Sequence, residues 1–448
     1  MSMVIKNDAS AVHILNCMQR NQNALTKSME KLSSGMRLNG AADDPSAYAI
    51  AIRMDVRVAS INRQIENAQR SASMFKTAGG ALDATTEILR TLKERAIQAA
   101  NGTSSDADRA IIQKEFDQLI DQINDNSNVT FNGKALLDGS LSSKAQDPVA
   151  NAFSNTALAE GTTFQTALKD LADRNGGSLD IKSSDTIKIS FVQNGQTMTT
   201  SFEVGAHTLE NIFKTANAEA GREVFDEDAL TAPNAGSSFI GVDASGTSVY
   251  TAGGEDALTV RAGAAGVSGA VSGFTISVSG VDGNVKKTIN AKLDAFSERI
   301  RAADPSSEQS VVTQIGSKSN QVIRTSLGDV SAKSLGLQGT DPMTGAVKNI
   351  DVRTQENANA AINVLDNALD TVLDQQTTIG AVQNRLQYTI ENLTTEAENL
   401  TAAASTIRDA NLAKEMTEFT RNNILMQASQ AMLAQLNRNS SNVLQLLQ

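Results

Sequence analysis

The chain has 448 residues, 40% of them hydrophobic and 20% charged, so it is long enough for several domains and for a real core. Its formal net charge of −11 argues against a nucleic-acid function, because nucleic-acid phosphates are themselves negative. Trp is absent and only 4% of residues are aromatic, which indicates burial through many small contacts rather than through a few large side chains.

Targeting and redox features are sparse. We find no basic stretch followed by an apolar run, and therefore expect no Sec-type signal peptide. We find no run of about 18 apolar residues, so no membrane span is expected. Cys17 is the only cysteine, which rules out an intrachain disulfide. A small buried hydrophobe is favoured over a reactive thiol at this position.

Two helices are predicted in the N-terminal arm. One face of the first helix carries Leu25, Met29, Leu32 and Met36. Asp44 is expected to cap the second helix, with Pro45 in its first turn, where a missing N–H has no cost. This helix is expected to run to about Ala100 and to end at Asn101-Gly102 with a left-handed cap.

A seven-residue apolar repeat marks the second helix and a long C-terminal helix. The first seam contains Met54, Val58, Ile61, Ile65, Ala68, Ala72, Phe75, Gly79, Leu82, Thr86 and Leu89. The second contains Ile362, Leu365, Leu369, Val372, Gln376, Ile379, Gln383, Leu386, Ile390, Leu393, Ala397, Leu400, Ala404, Ile407 and Asn411. Each seam places one apolar stripe along one helix face, so each needs a partner. The other arm and further copies of the chain are the candidates.

The middle of the chain differs from both arms. A shorter helix carries Ile112, Phe116, Leu119 and Ile123, and Asn132-Gly133 predicts the turn of a small hairpin. Residues 141–310 are richer in Gly, Ser, Thr and Asp. A β-hairpin is predicted around Asn194-Gly195, a weaker one around Asp282-Gly283, and a helix at Leu209–Ala220. Short strands and loops follow in residues 311–350. The predicted fold is mainly α, a coiled-coil-like bundle of long terminal helices with a small β-hairpin, plus an inserted α+β outer region.

The last 27 residues contain only one charge, Arg438. One helix face there carries Leu425, Ala428, Met432 and Leu436, and further apolar residues cover other faces. A helix that is apolar nearly all round is normally buried in protein or lipid, and the Asn, Gln and Ser content argues against lipid. We therefore expect neighbouring subunits to bury it, with packing into its own monomer as the alternative.

No pattern of catalytic or metal-binding residues is found. His13 and His207 have no H-E-x-x-H or comparable spacing around them. The Gly-rich run from Gly263 to Gly273 lacks a phosphate-loop signature, and helix capping explains the Asp43-Asp44 pair. We expect no catalytic residues, no metal and no cofactor.

Both ends of the chain resemble bacterial flagellins. The N-terminal motifs are NALTKSMEKLSSGMRLNGAADDPSAYAIAIRM (Asn23–Met54) and IQAANGT (Ile97–Thr103). The C-terminal ones are GAVQNRLQYTIENLTTEAENLTAAASTIRDANLAKEMTEFTRNNILMQASQAMLAQLN (Gly380–Asn437) and VLQLLQ (Val443–Gln448). The resemblance covers about residues 1–140 and 311–448.

The resemblance implies a subunit of the extracellular flagellar filament, a helical homo-oligomer that serves swimming motility. Residues 1–40 and 404–448 would form the inner tube, residues 41–140 and 311–403 a helical bundle, and residues 141–310 an outward domain. The chain would leave the cell unfolded through the flagellar type III apparatus. An export chaperone would hold Leu412–Gln448, and a filament cap and hook-associated proteins would be further partners. Neither nucleic acid nor membrane is an expected partner.

Some flagellins are also sensed by a Toll-like receptor, and the resemblance places that patch before the AANGT motif. The corresponding residues are Leu89, Arg90, Thr91, Lys93, Glu94, Arg95, Ile97 and Gln98, with Glu115 in the next helix. Receptor-activating relatives typically have Arg where this chain has Thr91 and Leu where it has Arg95. Losing a bidentate donor and gaining a charge at an apolar contact predicts weakened recognition.

Two alternative functions within the bacterial flagellum remain open at this point. One is a hook–filament junction protein, which shares terminal helices, and the other is a filament subunit whose outer domain is adhesive. A metalloprotease insert is disfavoured, because residues 141–310 contain only His207 and no H-E-x-x-H.

Overall fold

A computed structural model of the protein describes residues 9–143, 145, 147–231, 236–251, 254–306, 309–340 and 345–446. The chain forms two compact units. The first contains Met1–Ala68, Gln314–Gln321 and Tyr388–Gln448, and the second contains Gln69–Thr313 and Val322–Gln387. The sequence analysis instead divided the chain into an inner tube, a helical bundle and an outward domain. The two compact units do not test that division, which stays a prediction. The last two residues of the closing motif lie outside the described residues.

Eight helices are described. They are α1 (Ala9–Ser34), α2 (Pro45–Ala100), α3 (Asp106–Ser127), α4 (Leu209–Ala220), α5 (Glu227–Thr231), α6 (Lys287–Leu293), α7 (Gln355–Arg408) and α8 (Leu412–Leu446). The long helices at both ends and the strands between them confirm the predicted mainly α fold with an α+β insertion.

The strands are short and mostly lie between α3 and α7. They are β1 (Thr130–Phe131), β2 (Lys134–Ala135), β3 (Ala152–Asn155), β4 (Thr186–Gln193), β5 (Gln196–Glu203), β6 (Gly236–Ser237), β7 (Phe239–Val242), β8 (Ser248–Tyr250), β9 (Ala257–Arg261), β10 (Val271–Ser279), β11 (Phe296–Ile300), β12 (Val311–Gln314), β13 (Val322–Thr325), β14 (Gln338–Thr340) and β15 (Val347–Asn349). Two sheets of the inserted region have the orders β10-β4-β5 and β11-β3-β9-β6, with antiparallel pairs.

The start of α2 is as predicted. Pro45 is its first residue, and the Asp44 carboxylate accepts the amides of Ser46 and Ala47, both at 3.0 Å. This contact satisfies two of the donors that every helix leaves open at its first turn.

The end of α2 differs from the prediction. The helix does stop at Ala100, but neither Asn101 nor Gly102 has a positive φ, so the left-handed cap was wrong. The buried Arg109 guanidinium donates instead to the carbonyls of Ala99 at 2.8 Å and Asn101 at 3.1 Å. Since a side chain from α3 satisfies these carbonyls, no left-handed residue is needed.

The two apolar seams are buried or half-buried along α2 and α7. In the first unit, Ile61, Ala68 and Ala397 are buried, and Arg57 donates to Glu396 at 2.6 Å. In the second unit, Phe75, Leu82 and Leu89 of α2 and Leu365, Val372, Ile379 and Leu386 of α7 are buried. The heptad prediction is confirmed as far as Ile407.

The prediction that the apolar seam continues to Asn411 was wrong. Helix α7 ends at Arg408, where Arg37 donates its amide to the Arg408 carbonyl at 2.7 Å. Ala410 donates to the Gly35 carbonyl at 2.9 Å, so a short backbone pairing replaces helical turns here. Asn411 is exposed and accepts the amide of Lys414 at 3.2 Å with its side chain, as a cap of α8.

The hairpin at Asn194-Gly195 is confirmed. These residues have φ values of 52° and 70°, as a tight β4–β5 turn requires, and Ile189 pairs with Thr200 across the strands. A side chain at Gly195 would overlap the carbonyl of Lys348, because the turn packs on the β14–β15 hairpin.

The weaker hairpin at Asp282-Gly283 has only one bridge, between Ser279 and Val285. Strand β10 pairs along its length with β4 instead. That pairing buries the alternate residues Phe274, Ile276 and Val278 in the core of the inserted region.

The core of the inserted region also corrects the expectation drawn from the low aromatic content. Phe164, Phe191, Phe213 and Phe225 are fully buried there. The rings of Phe213 and Phe225 meet edge to face at 5.1 Å. Many of the phenylalanines are gathered in this core, while Phe75 and Phe116 are buried among the helices, a distribution that whole-chain composition hides.

Candidate functional site

Helices α1 and α8 pack together within the first unit. The Asn21 side chain donates to Ser429 Oγ at 3.1 Å, and the Asn422 side chain donates to Ser28 Oγ at 3.3 Å. Lys31 lies 3.9 Å from the Glu415 carboxylate. The numbers fall along α8 as they rise along α1, so the helices are antiparallel. Small polar side chains hold them in register.

The eight residues predicted for self-assembly divide between two environments. Leu25 is only 8% exposed, and Leu32, Met36 and Leu436 are half-buried. Met29, Leu425, Ala428 and Met432 are exposed, with Met29 at 53%. The predicted stripes are therefore partly used inside the α1–α8 pair and partly free on its surface. The assembly role of these residues stays a prediction.

Further exposed apolar residues on these helices were not among the predicted site residues. They are Val12, Leu15, Leu412, Met416 and Ile424, the last of which is 61% exposed. We call these five residues, together with Met29, Leu425 and Met432, the terminal apolar surface. For Ile424, the sequence signal is the low charge around all faces of the helix after Asn422, rather than along one stripe.

The predicted receptor stretch lies on α2 in the second unit. Leu89 is buried in the helical core, whereas Arg90, Glu94, Ile97 and Gln98 are exposed. Lys93 is half-buried and forms an ion pair with Asp366 of α7.

Two side chains of this stretch are engaged within the helical region. The Thr91 hydroxyl donates to the Glu87 carbonyl at 3.0 Å, along its own helix. Arg95 Nε lies 3.0 Å from the Glu115 carboxylate, and another Arg95 nitrogen donates to Gln98 at 3.1 Å. The structure thus pairs Arg95 with the acidic residue that the resemblance marks as a receptor contact.

Cys17 is half-buried rather than buried. Its sulfur lies 3.8 Å from His13 Nδ1 and 3.1 Å from an Arg20 nitrogen, all on α1. Among the described residues, no group of three or more His, Cys, Asp or Glu side chains is arranged to hold a metal ion. No helix in the described part of the chain is long and apolar enough to cross a membrane.

The chain matches known protein families at both ends. The profile of the bacterial flagellin N-terminal helical region matches residues 5–142, and that of the C-terminal helical region matches residues 362–447. A flagellin of Clostridium tyrobutyricum is 32% identical over 438 residues, which cover 97% of this chain and 99% of that one. A flagellin of Bacillus subtilis (strain 168) is 29% identical over 460 residues, covering 99% and 100%. A B-type flagellin of Pseudomonas aeruginosa is 28% identical over 507 residues, covering both chains fully.

The match to flagellins along the whole length identifies a structural protein rather than an enzyme. The chain belongs to the bacterial flagellin family, and it is a subunit of the extracellular flagellar filament that drives swimming. The full-length matches to flagellins favour the filament subunit over the junction protein.

Proposed function

We propose that the terminal apolar surface is where copies of this chain pack against one another in the filament. The supporting observation is that α1 and α8, although paired, leave Val12, Met29, Ile424 and Met432 exposed. Soluble monomers rarely expose large contiguous apolar patches, and such patches mark interaction sites. Around Ile424, Leu425 and Met432 little charge accompanies the exposed apolar area, because Arg438 is the only charge after Asn422.

Contact among copies must be of the non-closing kind. In a helical filament, one patch of each subunit meets a different patch of the next, and the rotation does not close. Exposed residues on α1 and on α8 supply two such patches. Burial of apolar area contributes roughly 25 cal/mol per Å², so a long helical surface can stabilise the assembly without a single dominant contact.

Deletion of residues 422–448 tests this proposal. We expect a soluble chain that retains a folded strand-rich core but forms no filaments, as judged by calorimetry and electron microscopy. The matched control replaces Arg438 with Gln, which alters the only charge of the segment and should leave assembly intact. Normal filaments from the deleted chain would refute the proposal.

We further propose that α1 and α8 become fully ordered only when other copies cover them. Ordering costs about 1–2 kcal/mol of backbone entropy per residue, and burial between subunits is expected to offset it. Circular dichroism of the monomer and of the filament measures the difference, with higher helicity expected in the filament. Equal helicity in both would end this part of the proposal.

Before assembly, the terminal apolar surface must be shielded from water. We propose that the chain is exported unfolded through the flagellar type III apparatus, with an export chaperone on Leu412–Gln448. Leu412 and Met416 at the start of α8 are exposed and suit an apolar groove. Co-purification of the chaperone from the same cells tests this, because the chain cut after Asn411 should lose it. The filament cap and hook-associated proteins are the later partners we expect at the growing tip and at the base.

A second proposal concerns innate sensing. We propose that this chain activates the flagellin-sensing Toll-like receptor weakly, because Arg95 forms an ion pair with Glu115. A receptor contact to Glu115 would have to displace an ion pair whose atoms are 3.0 Å apart. Thr91 also offers no cation at a position where activating relatives have Arg.

Reporter-cell titration of monomer tests the sensing proposal. The double variant T91R/R95L is expected to raise potency by about tenfold or more, since hot-spot contacts contribute 2 kcal/mol or more each. The control is R63L, an arginine on the same helix that pairs with Glu66 at 2.7 Å outside the patch. Full potency of the unaltered chain would contradict the proposal.

A further inference from the structure

Strand β10 of the inserted region is held against α7 by two asparagines one helical turn apart. Asn363 donates its side-chain amide to the Phe274 carbonyl at 3.3 Å, and Asn367 donates to the Ser272 carbonyl at 3.0 Å. Between these carbonyls Gly273 lies over Val364, and an added Cβ there would come within 3.2 Å of that side chain. The strand therefore lies directly on the helix at this point.

Two carboxyl groups lie beside this contact with hydrogen-bond donors but without a cation as their hydrogen-bond partner. Asp294, at the end of α6, accepts the Ile276 amide at 3.1 Å. Glu298 of β11 accepts the Asn151 side chain at 3.0 Å. Both line a cavity of about 230 Å³ between the strands and α7.

The charges that face this cavity are mostly negative. Helix α7 contributes Asp366 and Asp370 to its lining, and Arg301 is its only lining cation. Arg301 also pairs with Asp374 at 3.3 Å. Asp366 in turn is paired with Lys93 of α2. Two acids on the strand side thus face two acids on the helix side, with limited positive charge to offset them.

We propose that this contact, made by Asp294 and Glu298 with Asn363, Asp366 and Asp370, is a pH-sensitive clasp. Protonation of the two strand-side acids as the pH falls tightens the packing of β10 and β11 against α7. The inserted region is then fixed more firmly to the helical part of its own subunit.

Burial shifts the pKa of both acids in the direction that this requires. Burial raises the pKa of Asp294 to about 6, although the Ile276 amide and the Asn363 side chain oppose the change. Burial also raises the pKa of Glu298, and the charge of Asp370 adds to the effect, while Asn151 and Arg301 oppose it. Both residues are half-buried, and both effects arise because a carboxylate partly withdrawn from water and poorly compensated is costly when charged.

The direction of the pH effect follows from proton linkage. An unfolded Asp has a pKa of about 3.9, so near pH 5 the folded chain holds a proton at Asp294 that the unfolded chain does not. Stability from this group is therefore complete below about pH 4 and is lost as pH rises through about 6. Carboxylates whose folded pKa is lowered act in the opposite sense, so each variant must be compared with the unaltered chain at each pH.

Thermal unfolding of the full-length monomer at pH 5.5 and 7.5 tests the clasp. D294N keeps an acceptor for the Ile276 amide but cannot ionise. We expect it to raise the unfolding temperature of the inserted region at pH 7.5 and to reduce its gain on acidification by about 3 °C relative to the unaltered chain. D282N, at an exposed acid of the same region, is the matched control and should leave the pH response unchanged.

A second variant keeps the test decisive if D294N does not fold. D370N removes an exposed negative charge that faces Glu298, so it should lower the pH at which the stability changes. Hydrogen exchange at the Ile276 amide should show a gain in protection between pH 7.5 and pH 5.5 in the unaltered chain that is smaller in D294N. An identical pH response in the unaltered chain, D294N and D370N would overturn the clasp.

Discussion

The inserted strand-rich region and the pair of terminal helices bury their apolar side chains in different ways. The inserted region closes a core of its own, in which Phe213 and Phe274 meet edge to face at 5.9 Å. The α1–α8 pair buries Leu25 but leaves Met29 and Ile424 on its surface. The first region is complete within one chain, whereas the second has apolar area left over. Leftover apolar area of this kind is what the proposed packing between copies requires.

The largest expected effect tests whether the inserted core is independent. F213A removes a fully buried ring that contacts Phe164, Phe225 and Phe274. We expect a loss of about 3–5 kcal/mol in the free energy of unfolding of this region, with filament assembly retained. Urea unfolding and calorimetry measure the loss of stability, and electron microscopy measures filament assembly.

The control for that core variant is F239A, at a partly exposed ring of β7 that pairs with Tyr250. Its cost should be about 1 kcal/mol. If F213A abolished assembly while leaving the isolated chain folded, the two regions would not be separable in the way proposed.

A smaller effect addresses the terminal helices. The double variant M29S/I424S should raise the critical concentration for assembly by about tenfold, corresponding to about 1.4 kcal/mol. The melting of the inserted core should not change. V281S, at another exposed apolar residue but on the inserted region, is the control and should leave the critical concentration unchanged. Unchanged assembly of the double variant would show that its residues are not buried between copies.

The smallest expected effect concerns the N-terminal cap of α3. Ser105 caps α3 through its hydroxyl, which accepts the Asp108 amide at 3.2 Å, while the Asp108 carboxylate accepts the Ser105 amide at 3.1 Å. S105A should lower the stability of the second unit by about 1 kcal/mol without altering assembly. S73A, in the middle of α2, should have almost no cost, and thermal melting distinguishes the two. A larger loss in S73A than in S105A would contradict the capping argument.

Local patterns were sufficient for most of the helices and for two hairpins, since the predicted turn at Asn132-Gly133 also joins an antiparallel pair, β1 and β2. Asp44 and Pro45 predicted the start of α2, the heptad positions predicted the buried seams, and Asn194-Gly195 predicted the β4–β5 turn. Each of these signals acts over at most a few turns of chain, where intrinsic preference and periodicity decide.

Contacts between different helices and strands decided the cases where those patterns failed. The cap at Asn101-Gly102 was replaced by Arg109 of the next helix, and α7 stopped at Arg408 because the segment at Gly35 pairs with the backbone there. Likewise β10 pairs along its length with β4 rather than with the nearer strand predicted at Val285. None of these partners lies within the short windows from which the local predictions were made.

The sequence by itself determined the helical arms, the flagellin character of both ends and the low charge of the last 27 residues, because these depend on residue periodicity and on local composition. Only the tertiary structure decided which apolar residues are used within the monomer and which stay exposed. It also placed Arg95 against Glu115 and brought Asp294 and Glu298 next to α7. The physical reason is that exposure, ion pairing and the pKa of a buried acid depend on neighbours that are distant in the chain and become adjacent only on folding.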